Sequence, residues 1–434
     1  MTPTGPTPGG AAHGRARIEI DGVRLLARLA RLAEAGASPD GGVTRLAWSA
    51  EMAEATDLVR SWAEQAGASA HLDGALNLIA ELPGAQTGLA PLVTGSHLDT
   101  VIAGGRLDGA YGVVAGIEVL ASLQHSGLRL RHPLRVIAYA NEEGVVAPPF
   151  TGSRAIAGTL DPSELHAPGA DGLTVADRLA RAGADGQGPM VVRWPGSIAA
   201  TVELHIEQGP VLDRTGPTIG VVTAIAAQQR GTIVITGSAN HAGTTPMDMR
   251  SDALVAAAQA VLAVRELALG GIADVATAGR IQVSPNVSNV VPGDTTLSFD
   301  IRSYDGGRIQ TALEVLSLAL EAIEVDTRTR IEVELQSLTA AAPTDLRLRG
   351  MIGRAAAARG LTAVEMVSGA GHDCAHLSRL GPIAMIFVPS IGGVSHHPSE
   401  STDPADLIAG ASVLLDTLMA ADRYPEEPRR HDSD

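Results

Sequence analysis

Lysine is absent from this 434-residue sequence, so all 32 of its basic residues are arginines. That excludes Schiff-base and pyridoxal chemistry, a phosphate-loop lysine, and a carbamylated lysine shared between two metals. Cysteine occurs once, at Cys374, which rules out an intrachain disulfide and a cysteine-cluster metal site and points to a reducing compartment. Aromatic residues amount to 2%, so the core is expected to be aliphatic. No run approaches the roughly 18 uninterrupted apolar residues of a membrane span. The opening "MTPTGPTPGGAAHG" lacks the basic and apolar segments of a signal peptide and reads, to residue 16, as a disordered leader. A soluble, cytoplasmic protein is expected. The formal net charge of -16 would repel phosphate backbones, and no arginine stripe offsets it. Nucleic acid is therefore an unfavourable partner.

What is present is ample apolar material, 45% of residues, in a chain longer than one ordinary domain. Val- and Ile-rich runs end in short polar clusters at 91–100, 132–144, 200–209 and 381–390, with helical patterns such as 111–126 between them. Such runs read as strands buried on both faces of an α/β sheet. From 214 to 336 the rhythm changes to β-α-β-β-α-β, with strands in "GTIVITGSA", "GRIQVSP", "TLSFDIRSY" and "RIEVELQS". That order predicts a ferredoxin-like α+β unit inserted into the first domain. The expected division is a catalytic domain at 17–213 and 337–422, the insertion between them, and a disordered tail at 423–434.

In open α/β sheets ligands bind beyond the carboxyl ends of the strands. The four core runs deliver there His97 with Asp99, the pair Glu142 and Glu143, His205, and a loop carrying His396 and His397. Asp108 follows in "RLDGAYG", where the next helix opens. A lone histidine at a strand end is more often structural, but four strand ends converging on His, Asp and Glu favour a metal centre. Three imidazoles with two or three carboxylates and no thiolate suit Zn, Mn, Co or Ni. Five candidate ligands suggest two ions sharing a carboxylate, able to lower the pKa of a water between them. The remaining glutamate could act as general base. The doublet His396-His397 precedes Pro398, which favours extended backbone, so only one ring can readily face the metals; the spacing alone does not say which.

Seven stretches, "TGSHLDTVIAGGRLDGAYGV", "NEEG" with "FTGSRAIAG", "ELHIEQGPVL", "GSANHAGTTPMDMRSDA", "PNVSNVVPGDTTLSFDIRS", "SGAGHDC" and "GGVSHHPSE", resemble the hydantoinase/carbamoylase family of amidases, relatives of the carboxypeptidase G-like metallopeptidases. The resemblance runs in register from about residue 20 to 420. It implies a mixed-sheet metallopeptidase-like domain with a lid, and two divalent ions per subunit. His97 and His205 would hold one ion, Glu143 and His396 the other, with Asp108 bridging and His397 at a variable position. Asp99 would orient the His97 ring through its carboxylate, and Glu142 would be the base. Gln208, His241, Asn289 and Arg302 would contact substrate, with His241 also polarising its carbonyl. The lid histidine of such relatives reaches a partner's site, which implies a homodimer. Gly369, Ala370 and Gly371 would offer backbone N–H groups as a nest.

The implied reaction is hydrolysis of a linear ureido or amide C–N bond in a small carboxylate substrate, of the N-carbamoyl amino acid or allantoate type. An N-acyl amino acid or dipeptide hydrolase on the same centre is the alternative. The sequence departs from the family at Val145, Val146 and Ala147, where a small or polar residue, Arg and Phe are usual. Two other classes compete with this reading: a cysteine amidase using Cys374 with His372 or His376, and a silent binding protein on the same scaffold. The first leaves the strand-end acids unexplained, and the second should have lost a ligand or Glu142.

Overall fold

The computed structural model describes residues 17–169, 171–184, 194, 196–336 and 338–423. The leader 1–16 and the tail from 424 onward, both read as disordered, lie outside the described residues.

The first six strands are β1 (Ser69–Leu72), β2 (Leu78–Leu82), β3 (Leu92–His97), β4 (Leu134–Tyr139), β5 (Ala200–Ile206) and β6 (Ile219–Ile225). The next six are β7 (Ala227–Thr236), β8 (Asn240–His241), β9 (Val275–Ser284), β10 (Val290–Val291), β11 (Asp294–Ser303) and β12 (Arg330–Leu335). Then come β13 (Ala342–Pro343), β14 (Ala363–Ser368) and β15 (Ile383–Val388). Among the described residues, the larger sheet has nine strands in the order β1-β2-β4-β3-β5-β15-β6-β13, with β14 also beside β6. Its centre is parallel, β4-β3-β5-β15, and its flanks contain antiparallel pairs.

Every residue of β3, β5 and β15 is buried, as expected for strands covered on both faces. Helix Ala110–Ser126 is apolar around its circumference because it is enclosed by the sheet and by helices Ala50–Gln65 and Pro404–Ala421. The latter helix has the length and hydropathy to cross a membrane, but Leu407, Ala411, Leu414, Leu415 and Leu418 are buried in this same core. The aliphatic core expected from the aromatic-poor composition is thus what forms.

The inserted sheet runs β12-β7-β11-β9, antiparallel throughout. Helices Ala253–Leu269 and Gly306–Thr327 cover one face, and in chain order the strands stand fourth, first, third, second. That is the ferredoxin-like arrangement. Strict alternation of buried and more accessible residues along β7 and β11 supplies the single apolar face, met by Ala256, Ala260, Val264 and Leu267 from one helix and Ile309, Ala312, Leu316 and Leu320 from the other.

The expected start of the insertion at 214 lies too early. Strand β6 pairs with β13, β14 and β15 in the larger sheet, and the chain changes sheets between Ile225 and Ala227. Strand β12 ends at Leu335, and the chain re-enters the larger sheet at β13. Both crossings run together, joined by the Gln228–Thr339 bridge.

Candidate metal centre

The parallel strands β3, β4 and β5 end at one edge of the sheet, and the loops leaving them bring His97, Asp99, Asp108, Glu142, Glu143 and His205 together, with His396 entering from the loop after β15. The His97 ring donates from Nδ1 to the Asp99 carbonyl at 2.9 Å, and the His205 ring from Nδ1 to the Ile206 carbonyl at 2.8 Å. Each ring therefore turns its Nε2 lone pair toward Asp108 Oδ1, at 3.5 Å from His97 and 3.2 Å from His205. Gly109, with φ of 63°, makes this possible: a Cβ there would lie 2.5 Å from the His97 ring.

Asp108 Oδ1 is buried and has no hydrogen-bond partner. His205 Nε2 also meets the Gly109 N–H at 3.2 Å, yet three acceptor atoms crowded in a buried space favour a proton or a cation between them. The residues present thus fit a divalent ion of imidazole and carboxylate preference. On the other side, Asp108 Oδ2 lies 3.2 Å from His396 Nε2, which in turn is 3.5 Å from Glu143 Oε2. One carboxylate therefore faces two donor sets, His97 with His205 and His396 with Glu143.

The electrostatics follow from crowding acids in a dry place. Burial, and then repulsion from Glu143, holds the Glu142 carboxyl well above its usual range, with His97 working in the opposite direction. Burial and the Asp108 charge push Glu143 up to about 7. Burial raises Asp108 too, but the imidazoles of His205, His396 and His97 beside it carry it well below the usual carboxylate range. The Asp108 hydrogen bond raises His396 to about 9. Such opposed pairs are the electrostatic mark of a catalytic site.

Asp99 departs from the expected arrangement. Its carbonyl, not its carboxylate, orients His97; the carboxylate lies 3.9 Å from Nδ1. The Asp99 oxygens instead accept the amide N–H groups of Glu142 at 3.2 Å and Glu143 at 3.1 Å, anchoring both glutamates from the neighbouring strand end. Gln208, expected to touch substrate, donates from Nε2 to Asp108 Oδ2 at 2.8 Å.

Two contributors escaped the sequence reading. Glu400 Oε1 accepts the N–H groups of Leu107 and Asp108 at 2.9 and 3.1 Å, and its Oε2 meets Ser395 Oγ at 2.8 Å. Ser395 Oγ also meets Asp108 Oδ2 at 2.9 Å. Glu400 thereby ties the Asp108 loop to the His396 loop, 292 residues away. A Cβ on Gly105 would lie 2.0 Å from Glu400 Oε1, so a side chain there would push Glu400 out of this position. The only advance signal was a glutamate three residues past His397.

The remaining assigned residues lie apart from this cluster. His241 and Asn289 sit on the β8–β10 ribbon of the insertion, where the Asn289 carbonyl accepts the Ala242 N–H at 2.9 Å. His241 Nδ1 accepts the N–H groups of Gly243 at 3.0 Å and Thr244 at 3.2 Å, which leaves its proton on Nε2. Arg302 donates Nε to Asp300 Oδ1 and Nη2 to Asp300 Oδ2, each at 3.0 Å, and Nη1 to the Gly369 carbonyl. Arg302, Asp300 and Gly369 line a cleft of about 500 Å³ with Arg230, Thr277 and Gln336. The run Gly369–Ala370–Gly371 contains no left-handed residue, and the Ala370 N–H is taken by Ser368 Oγ at 3.2 Å. It does not form the αR-αL kind of nest, and its central N–H is already engaged. His397 turns away from the cluster to Ser399 Oγ at 2.8 Å.

The cysteine rival fails on environment. Cys374 is fully buried, and burial together with Glu203 pushes its thiol well above the usual value, the opposite of what a thiolate nucleophile needs.

A buried imidazole-carboxylate cluster at parallel strand ends, beside a ferredoxin-like insertion, defines a metallopeptidase-type hydrolase. The chain belongs to peptidase family M20/M25/M40, whose model matches residues 93–420. It is 38% identical over 402 residues to an N-carbamoyl-L-amino acid amidohydrolase of Geobacillus stearothermophilus, covering 92% of this chain and 98% of that protein. To an allantoate amidohydrolase of Bacillus subtilis it is 36% identical over 391 residues, 89% and 94% of the two chains. A solved amidase of the hydantoinase/carbamoylase family from Burkholderia multivorans superposes with a TM-score of 0.86 at 36% identity, over 94% of this chain and 100% of that one. An aminopeptidase from Bacillus cereus, at 17% identity and a TM-score of 0.65, shares the fold. The resemblance read from the motifs holds: the protein is a metal-dependent hydrolase of linear amide bonds.

Proposed function

We propose that the protein is a dinuclear amidohydrolase cleaving the C–N bond of a linear ureido group in a small carboxylate substrate, of the N-carbamoyl amino acid or allantoate type. The observation that carries this reading is Asp108, whose two oxygens face separate donor sets, one of them left unpartnered in a buried space. Amidohydrolases of N-carbamoyl-L-amino acids and of allantoate among the relatives support the substrate class. Divalent Zn, Mn, Co or Ni held by His97, His205, Asp108, Glu143 and His396 would supply Lewis acidity to a water and to the scissile carbonyl.

The chain's own groups do the rest. Glu142 takes a proton from the attacking water and delivers it to the leaving nitrogen; the same burial that raises its proton affinity suits it to hold that proton between the two steps. His241, with its proton on Nε2, donates to the carbonyl oxygen as negative charge grows there. Asp300 and the Gly369 carbonyl take three of the Arg302 N–H groups, and the remaining two would serve the substrate carboxylate. His241 acts across a homodimer. The exposed Leu262, Leu269, Leu318 and Val325 on the insertion's helices, and β9 at the edge of its sheet, are surfaces that a second copy would cover. The absence of any possible intrachain disulfide fits a cytoplasmic setting.

The test is chelation followed by add-back of each metal, assayed on N-carbamoyl amino acids, N-carbamoyl-β-alanine, allantoate, N-acyl amino acids and dipeptides. The reading expects activity to vanish and return, on ureido substrates above the others. Full activity after chelation contradicts it; restored activity confined to dipeptides moves the substrate assignment.

A further inference from the structure

Among the described residues, the largest side chain with almost no solvent exposure is that of Arg45, at 1%. Burying a guanidinium is expensive, and an ion-pair partner is the usual compensation. Here its hydrogen bonds go to carbonyls. Nε donates to Leu98 O at 2.6 Å, and Nη1 to Leu32 O at 3.1 Å and Ala35 O at 2.9 Å. Its backbone N–H meets Thr100 Oγ1 at 2.9 Å, and its carbonyl accepts the Thr100 N–H at 3.0 Å. The nearby charge that favours its cationic form is Asp99; burial works against it and brings it down to about 10, still protonated at neutral pH.

Those bonds grip the residues on either side of Asp99. Asp99 is the hub that aims the centre: its carbonyl orients His97, and its carboxylate holds the amides of Glu142 and Glu143. We propose that Arg45 is a positioning residue for the metal centre, a buried staple that clamps the Leu98–Asp99–Thr100 corner between helix Gly22–Leu32 and the ends of β3 and β4. Capping that helix is the simpler role, and the bonds to Leu32 and Ala35 serve it. It does not account for Nε reaching the opposite way to Leu98; the two bonds to Thr100 are made by the Arg45 backbone and hold the far side of the same corner. The proposal rests on the metal-hydrolase reading, because it assigns Arg45 to the geometry of those ligands.

The experiment uses the full-length protein and its Arg45→Met and Thr100→Val variants, stripped of metal and titrated with Co²⁺ while the d–d absorption is followed. Thermal midpoints are recorded in parallel, as are kcat and KM on whichever ureido substrate the wild type turns over. Arg45→Met is expected to weaken Co²⁺ binding and lower kcat by roughly 10- to 100-fold, the range for loss of a group supporting metal ligands, with KM nearly unchanged. Thr100→Val loosens the corner without removing the cation and should move the same quantities less. A lowered thermal midpoint with wild-type Co²⁺ affinity, spectrum and kcat overturns the proposal. Should Arg45→Met fail to fold, Thr100→Val decides: weaker Co²⁺ binding supports the clamp, and wild-type affinity overturns it. Should the wild type hydrolyse no ureido substrate, the Co²⁺ titration still judges Arg45, since it needs no turnover.

Discussion

His205 and His396 point Nε2 at the same aspartate from the same distance, 3.2 Å, yet the His205 side chain is 1% exposed and that of His396 49%. The His97–His205 half is held by backbone: each ring donates to a main-chain carbonyl of its own strand-end segment, and the segments belong to buried strands. The His396–Glu143 half hangs from a loop. His396 itself has φ of 56°, a left-handed conformation costly for a residue other than glycine, held by the contacts of Ser395 and Glu400. One half is closed, and the other reaches solvent through His396. A metallohydrolase needs both properties, retention of an ion and access for substrate, and this chain separates them on either side of one carboxylate.

The harshest way to break the comparison is to remove what the halves share. Asp108→Asn should empty both positions and reduce hydrolysis to background, read by metal analysis and by assay of the purified protein. Removing the base leaves the halves intact but silent: Glu142→Gln should retain metal and lose roughly 10²- to 10⁴-fold in kcat, and near-normal turnover would sink its role. Acidity should weaken both halves: burial works against a proton on His97 and His205, but the acids around them, Glu142, Asp108 and Asp99 for His97 and Asp108 for His205, raise both. His396, held up at about 9, and Glu143, at about 7, must both lose protons before the open half can take an ion. Affinity there should therefore fall as pH drops, about tenfold per unit from 9 to 7 and steeper below 7, with proton release measurable by calorimetry in buffers of different ionisation enthalpy. The smallest effect is expected next door: His397→Ala, outside the cluster, should change turnover less than about twofold, within the roughly 0.5 kcal/mol of an ordinary surface substitution.

Periodicity carried most of the fold. Buried β3, β5 and β15 announce themselves as continuous apolar runs, and the insertion through its alternating strands and Ala/Leu helices. The edge strands β1 and β2 and the boundary strand β6 did not stand out, because their place depends on partners distant in sequence. For the centre, spacing supplied candidate ligands but could not assign the histidine doublet; the motif register did. What remained hidden was support through backbone atoms. No pattern of residue types shows that the Asp99 carbonyl, rather than its carboxylate, faces His97, or that Ser368 uses the Ala370 N–H of an apparent nest. Gln208 and Glu400 likewise reveal their hold on Asp108 only when their loops meet.

The central claim, two unequal ion positions sharing Asp108, is tested most directly by titrating the metal-free protein with Mn²⁺ or Co²⁺ and counting ions bound, in the wild type and in His396→Ala. Two ions per chain with separable affinities, falling to one with the tighter position kept, is the predicted result. A single ion in the wild type, or loss of both from His396→Ala, would contradict it.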